Sequence, residues 1–268
     1  MLFRSSPALR RAAGVVATLV VIALPALLAI ALEAELADTW SRIIITGILA
    51  WPFVALRSLH DHVAAVAHPL QSGDIEGARS AVSRIVGRDP ASLDEAGIAR
   101  ASIESLAENA SDGVIAPVFW GAVFGLSGIV GYKIINTLDS MIGHRSPRHE
   151  AFGWAAARID DLANFIPARL TGFMFAVLSA RPGNAMSCMM RDARRHRSIN
   201  AGWPEAAMAG ALSVRLSGPR IYHDRLADEP WLNEGARDPL AADIGRGLKL
   251  YRRAMLFTAA TLVILAFA

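Results

Sequence analysis

The chain has one cysteine, Cys188, in 268 residues. A disulfide framework or a cysteine-held zinc cluster within one chain is thereby excluded. Lysine is nearly absent as well: Lys133 and Lys249 are the only two, so almost every cation is an arginine. A guanidinium forks onto phosphate and carboxylate oxygens where an ammonium does not, although a GC-rich genome leaves the same bias. No glycine-rich Walker loop, GxGxxG, HExxH or GxSxG occurs. Any use of ATP must then rest on carboxylate-held metal and arginines. There is no strand-like alternation, no internal repeat and no low-complexity tract. The net charge of +3 is small and dispersed, which gives no footing for a nucleic-acid partner.

What the chain has in excess is apolar sequence: 53% hydrophobic residues, with a mean hydropathy of +0.36. The excess is gathered in blocks, which makes a bilayer part of the solvent. Residues 12–32 carry no charge and are long enough to span. Arg4, Arg10 and Arg11 precede them, and Glu33, Glu35 and Asp38 follow, which puts the N-terminus in the cytoplasm. A cleaved signal peptide is the rival reading, but the run is long for one and lacks a clean cleavage site. Residues 43–57 span if Arg42 and Arg57 snorkel. Residues 113–132 are again uncharged but hold Pro117, Gly121, Gly125, Gly128 and Gly131. Such breaks permit close helix packing or a broken, re-entrant helix. The loop cations Lys133, Arg145, Arg148 and Arg158 favour the re-entrant form, with 162–180 in the interface. Residues 254–268 read as a final membrane helix.

The expected fold class is therefore all-α: a single polytopic membrane domain over residues 1–268. Its polar helical regions, 58–111, 133–161 and 181–253, carry the active site. Within them Asp74 reads as an N-cap. Ser92 reads as the start of a second helix, with Glu95 completing a capping box.

Four polar constellations stand out. Glu104, Glu108 and Asp112 recur at i, i+4 and i+8, which puts three acids on one helix face beside Asn109. Like charges at that spacing repel, so divalent metal with phosphate is one reading and a solvated face the other. Lys133, Asn136, Asp139 and Ser140 share roughly one face of a helix that Gly143 could end, with His144 and Arg145 at its exit. Arg158, Asp161 and Arg169 can exchange ion pairs, while Asp160 and Asn164 sit at i, i+4. Paired aspartates there suit a metal–phosphate device, or equally a salt-bridge network. Finally, RDARRHR (191–197) can hold phosphates through Arg194 and Arg197, or anionic lipid head groups.

Five stretches resemble one family: SRIVGRD (83–89), EAGIARASIESLAENASDGVIAPVFW (95–120), YKIINTLDSMIGHR (132–145), FGWAAARIDDLANFIPARLT (152–171) and RDARRHRSINAGWPEAAMAGAL (191–212). Together they resemble the adenosylcobinamide-phosphate synthases of cobalamin biosynthesis, the CobD/CbiB family. The resemblance implies a multi-pass enzyme of the bacterial inner membrane with a cytoplasmic active site. It implies ATP-dependent amide formation between adenosylcobyric acid and aminopropanol or its O-phosphate. ATP as co-substrate, magnesium or another divalent metal, the corrinoid, the amine and membrane lipid are the expected partners. A homo-oligomer or contact with other cobalamin-pathway enzymes would also fit. Relative to the family pattern, the G-D-P and H-P motifs are missing before residue 60, and His68-Pro69 stands in another context. The N-terminus is therefore expected to be shortened.

On that resemblance, Glu104, Glu108, Asp112, Asp139, Asp160 and Asp161 gather around metal, and Lys133, Arg145, Arg169, Arg194 and Arg197 take phosphates. Asn109, Asn136, Ser140, Asn164 and His144 orient substrate. An acid of the first constellation serves as base. Two rivals remain: a membrane phosphotransferase of the CDP-alcohol type, and a non-catalytic subunit or transporter. Against the first, Asp112-Gly113 is followed by Val114, Ile115, Ala116 and Pro117, not by the expected D-G-x-x-A-R.

Overall fold

A computed structural model describes residues 6–36, 40–87, 90–143, 150–222, 225–227 and 229–267. Eleven α-helices are described: α1 (Pro7–Glu35), α2 (Trp40–Ala50), α3 (Leu56–Gln71), α4 (Ile75–Val82), α5 (Glu95–Ala110), α6 (Ala116–Leu138), α7 (Trp154–Ala163), α8 (Phe165–Leu178), α9 (Pro182–Asp192), α10 (Gly202–Leu212) and α11 (Ala241–Ala266). Four strands of two or three residues interrupt them: β1 (Leu216–Ser217), β2 (Arg220–Tyr222), β3 (Arg225–Ala227) and β4 (Trp231–Leu232). They pair antiparallel as β1–β4 and β2–β3. The sequence shows no sign of them, since two residues are too few to display a period of two. The chain is all-α with these small additions.

It is also a multi-pass membrane protein. Pro7–Glu35, Trp40–Gln71 and Glu95–Gly143 are each long and apolar enough to cross a bilayer, and α7 with α8 makes a fourth crossing if the bent pair counts as one. Val16, Leu24, Leu28, Ile43, Ile44 and Ile48 lie exposed along α1 and α2, where lipid replaces water as the favourable neighbour. The apolar end of α11 is exposed too, at Leu256, Phe257, Ile264 and Leu265. Its apolar part is shorter than a full crossing among the described residues.

The packing resolves into two compact units: residues 1–54 with 112–165, and residues 55–111 with 166–268. In the first, α1 packs on α6 and α7. Within α6 the helix breaks at Phe124 and Gly125, where Gly125 has φ +65° and ψ −148°. Only glycine holds that conformation cheaply. The halves on either side then fold back: a Cβ on Gly128 would run into the Trp120 carbonyl, and one on Gly121 would meet Ile129 at 2.6 Å. The helix is broken and folded back there, one of the forms that the glycines of 113–132 permit. Glu33, at the end of α1, accepts a hydrogen bond from Leu126 N (3.0 Å) and so caps the second half-helix.

In the second unit α5 and α10 are buried on nearly all sides. Ile98, Ile103 and Leu106 of α5, Met208 of α10, and Ile244 and Tyr251 of α11 are fully or almost fully buried. Ala and Gly make up six of the eleven residues of α10, so neighbouring helices approach closely. Asp74 caps α4 as its position predicts, accepting from Gly77 N (2.9 Å). The next helix corrects its prediction. Asp94, not Ser92, is the cap and accepts from Gly97 N (2.7 Å), while Glu95 takes the first helical position. Aspartate caps as well as serine, and an acid in the first turn also suits the helix dipole. Cys188 is buried in α9, its thiol pushed up to about 12 by burial, and is inert.

Candidate functional site

Within the first unit the acids gather at one end of α6 and on α7. Helix α6 runs into a π-turn, Asp139–Gly143, which carries Asp139 and Ser140 at its start. A Cβ on Gly143 would collide with Asp139 Oδ1, so glycine there gives the carboxylate its room. On α7, Asn164 Nδ2 donates to Asp160 Oδ2 (3.0 Å), the contact that their i, i+4 spacing predicts. The Tyr132 hydroxyl lies 2.7 Å from Asn164 Oδ1 and 3.0 Å from the Asp112 carbonyl oxygen, donating toward both. With its oxygen accepting from Tyr132, Asn164 must turn its NH2 to Asp160, and the carboxylate is held in place. Trp120 Nε1 donates to Ala163 O (3.0 Å) and ties α6 to the same corner of α7.

Asp160 is the centre of this cluster. Asn136 lies against its carboxylate, and Asp139 and Asp161 add like charge. Its second oxygen, Oδ1, is buried with no hydrogen-bond partner among the described residues. A buried carboxylate oxygen without a donor costs free energy unless a cation or ligand completes it. Asp161 is paired at the surface with Arg158 (3.3 Å). Lys133 sits one turn before Asn136 on α6 and accepts at its carbonyl from Thr137 Oγ1 (2.7 Å). Ser140 Oγ donates to Asn136 O (2.9 Å), so its hydroxyl also serves the helix. His144 and Arg145 lie outside the described residues.

The three-acid face of α5 differs from its sequence expectation. Glu104 is buried, Glu108 exposed and Asp112 intermediate. Beyond Ala110 the helix widens into a π-turn, Ser111–Ile115, so the i, i+4 row does not continue evenly into Asp112. Glu104 Oε1 accepts from Ser217 N (2.6 Å), a residue with φ +61°. This places Glu104 as the clasp of the β1 turn, within the second unit. Asn109 Nδ2 donates back to Ser105 O (2.9 Å).

The second unit collects the arginines. Arg169 stacks over the Trp203 ring (4.7 Å to its centre) and donates to Asn200 Oδ1 (3.3 Å). Arg194 adds like charge beside it and forms no ion pair among the described residues. Arg197 reaches the buried Glu229 (3.3 Å). His196 Nε2 lies 3.7 Å from Glu205 Oε2, both side chains buried. Around them charges are matched. Asp192 is enclosed by Arg191, Arg195 and the Asn233 amide. Arg100 and Arg215 flank the Trp231 ring and share Asp238.

The CobD/Cbib protein family model matches residues 1–251. The chain belongs to the CobD/Cbib family. It is 66% identical to a cobalamin biosynthesis protein CobD of Rhodobacter capsulatus over 247 residues, which are 92% of this chain and 79% of that one. It is 54% identical over 218 residues to the CobD of Brucella suis, 78% of this chain and 65% of that one. It is 48% identical over 263 residues to the CobD of Sinorhizobium fredii, 94% and 80%. No solved structure matches significantly.

Sequence reasoning missed Tyr132, Trp120, Asn200 and Trp203 as site-building residues. All four lie inside the stretches that carry the family resemblance, yet none is charged. The search for acids and cations passed over the neutral groups that aim them.

Proposed function

We infer that this protein acts in cobalamin biosynthesis as a carbon–nitrogen ligase of the adenosylcobinamide-phosphate synthase type. The family match along 1–251 carries that reading. It also sets aside the CDP-alcohol phosphotransferase and transporter alternatives. The substrates are adenosylcobyric acid and aminopropanol or its O-phosphate, with ATP. The membrane is the bacterial inner membrane, with the acids facing the cytoplasm.

A carboxylate is a poor electrophile. In the proposed reaction its oxygen attacks the terminal phosphorus of ATP, ADP leaves, and an acyl phosphate forms. The amine nitrogen then bonds to the acyl carbon, the bond to the phosphate oxygen breaks, and phosphate departs. The amine proton passes to a carboxylate. That proton is assigned to an acid of the first constellation, Glu104, Glu108 or Asp112.

Magnesium favours oxygen ligands and is commonly held by one or two carboxylates with substrate phosphates completing the shell. Among the described residues no three Asp, Glu, His or Cys side chains close on one point. A two-carboxylate arrangement on Asp139 and Asp160 fits better than a cage of all six acids. The unsatisfied Asp160 Oδ1 supports that choice. When bound, the ion would neutralise phosphate charge. Asn164 and Tyr132 fix the Asp160 carboxylate, and Asn136 orients the group it faces. In the second unit, Arg194 and Arg169 are assigned to phosphate oxygens through charge-assisted hydrogen bonds.

The test is conversion. Membranes expressing the chain receive adenosylcobyric acid, ATP, magnesium and aminopropanol phosphate, and products are read by mass spectrometry. A mass gain equal to the amide is the expected result. No gain, with the protein present in the membrane, overturns the reading.

A further inference from the structure

Two arginines of the first unit, Arg10 and Arg11, have none of these roles. Both lie near the start of α1. One turn on from Arg10, Gly14 is buried, and a Cβ on it would run into the Phe152 carbonyl. The start of α1 is therefore pressed on the segment that leads into α7. That segment is pressed in turn on the acid-bearing turn, because a Cβ on Gly153 would collide with the Ile142 carbonyl. A Cβ on Gly143 would collide with Asp139 Oδ1 and lie 3.5 Å from Ala157 Cβ. Glycines at 14, 143 and 153 let these backbones approach closely. They bring the arginine end of α1 to the corner that holds Asp139 and Asp160.

Arg11 lies over the Trp154 ring, 5.2 Å from its centre. Stacking uses the face of a guanidinium and leaves the N–H donors along its edge for an anion. Arg10 Nε is buried with no hydrogen-bond partner among the described residues. A donor in that state is unusual unless a ligand or water completes it. Neither arginine is in an ion pair among the described residues. The acids nearby do not take these cations: Asp161 pairs with Arg158, and Asp160 Oδ1 stays unmatched. One corner thus holds unmatched donors and an unmatched carboxylate oxygen. A metal ion alone would satisfy the carboxylate and leave the arginines, and a bare anion would do the reverse. A phosphate that arrives with its divalent cation satisfies both. A lipid phosphate without such an ion would meet Asp139, Asp160 and Asp161 as like charges, which is costly.

We propose that Arg10 and Arg11 hold the phosphate oxygens of a magnesium–nucleotide whose metal ion rests on Asp139 and Asp160. The first unit then has phosphate-binding cations of its own, apart from Arg169 and Arg194 of the second. For the identity of the nucleotide the proposal rests on the ligase reading.

The full chain in phosphatidylcholine nanodiscs is titrated by calorimetry with magnesium and a non-hydrolysable ATP analogue. The parent protein should bind the analogue saturably. Arg10→Gln and Arg11→Gln should each weaken that binding about tenfold, the scale of one charge-assisted contact. Asp160→Asn should weaken it too, and only when magnesium is present. In the conversion assay Arg11→Gln should raise KM for ATP about tenfold and leave KM for aminopropanol phosphate unchanged, a split that general damage to the fold would not give. Should Arg10→Gln fail to accumulate, the exposed Arg11 decides alone. No binding by the parent protein, or parent affinity in Arg11→Gln, overturns the proposal. So does a loss of retained lipid from phosphatidylglycerol discs in both variants with analogue binding intact, read by native mass spectrometry, because the pair is then a lipid anchor. Amide formed at the parent KM for ATP in both variants removes the site and leaves the ligase reading. Arginine-dependent binding of the analogue with no amide product sinks the ligase reading and leaves the phosphate site standing.

Discussion

The two units handle charge in opposite ways. In the first, Asp139, Asp160 and Asp161 stand close enough to repel, and a buried Asp160 oxygen is unmatched among the described residues. In the second, acids and arginines are largely consumed by one another: Asp192 by Arg191 and Arg195, Asp243 by Arg237 and Arg246, Asp238 by Arg100 and Arg215. A matched pair holds the fold together and has little left for a ligand. An unmatched group destabilises the empty protein and is stabilised when a ligand arrives. The contrast therefore separates residues kept for structure from residues kept for chemistry, although both sets are Asp and Arg.

The sharpest way to break that contrast is at Asp160 and Asp139. Asp160→Asn or Asp139→Ala should cut amide formation on the order of a hundred- to a thousandfold, with membrane accumulation unchanged and thermal melting no lower than in the parent protein. A variant that keeps wild-type turnover removes that residue from the chemistry. Asp192 is the counterpart in the second unit. It is fully buried and holds Arg191 Nη2 (2.7 Å) and Asn233 N (2.8 Å). Asp192→Asn should lower stability by about 1–3 kcal/mol, seen as a fall in melting temperature, and lower activity only as far as it lowers folded protein.

A finer test lies within one helical turn. Arg194 has no ion pair among the described residues and Arg197 reaches Glu229. Arg194→Gln should raise KM for the phosphate substrate about tenfold with little change in stability. Arg197→Gln should do the reverse, because it removes an ion pair from the buried Glu229. Similar kinetics for the two variants would erase the distinction between matched and unmatched arginines.

The smallest effect concerns pH. Hydrogen bonding to Arg215, helped by Arg100 and opposed by burial, lowers the Asp238 carboxyl from its ordinary 3.8 to about 2. Its native pKa lies below the unfolded one, so its contribution to stability is complete above about pH 4 and is lost as pH falls toward 2. Denaturation followed between pH 5 and 2 should show a small acid-labile component that Asp238→Asn removes. Because this group is partly exposed, solvent and salt screen the effect. A component that persists in the variant belongs to other carboxylates.

Much of this organisation is legible in the sequence. The uncharged runs, the Asp74 cap, the break among the glycines of 113–132 and the Asp160–Asn164 contact all follow from spacing within one or two helical turns. The different fates of Glu104 and Glu108 are not legible there, though both sit four residues apart on α5. One clasps Ser217, 113 residues away in the chain, and the other faces out. Nor can spacing show that Tyr132 aims Asn164 across 32 residues.

The sequence by itself determined the helical membrane character, the family and the inventory of acids and arginines, because hydrophobic run length and helical period are local properties of the chain. Only the tertiary structure decided which of those charges are matched. That outcome depends on partners far apart in sequence, and on whether burial removes the water that would otherwise satisfy each group.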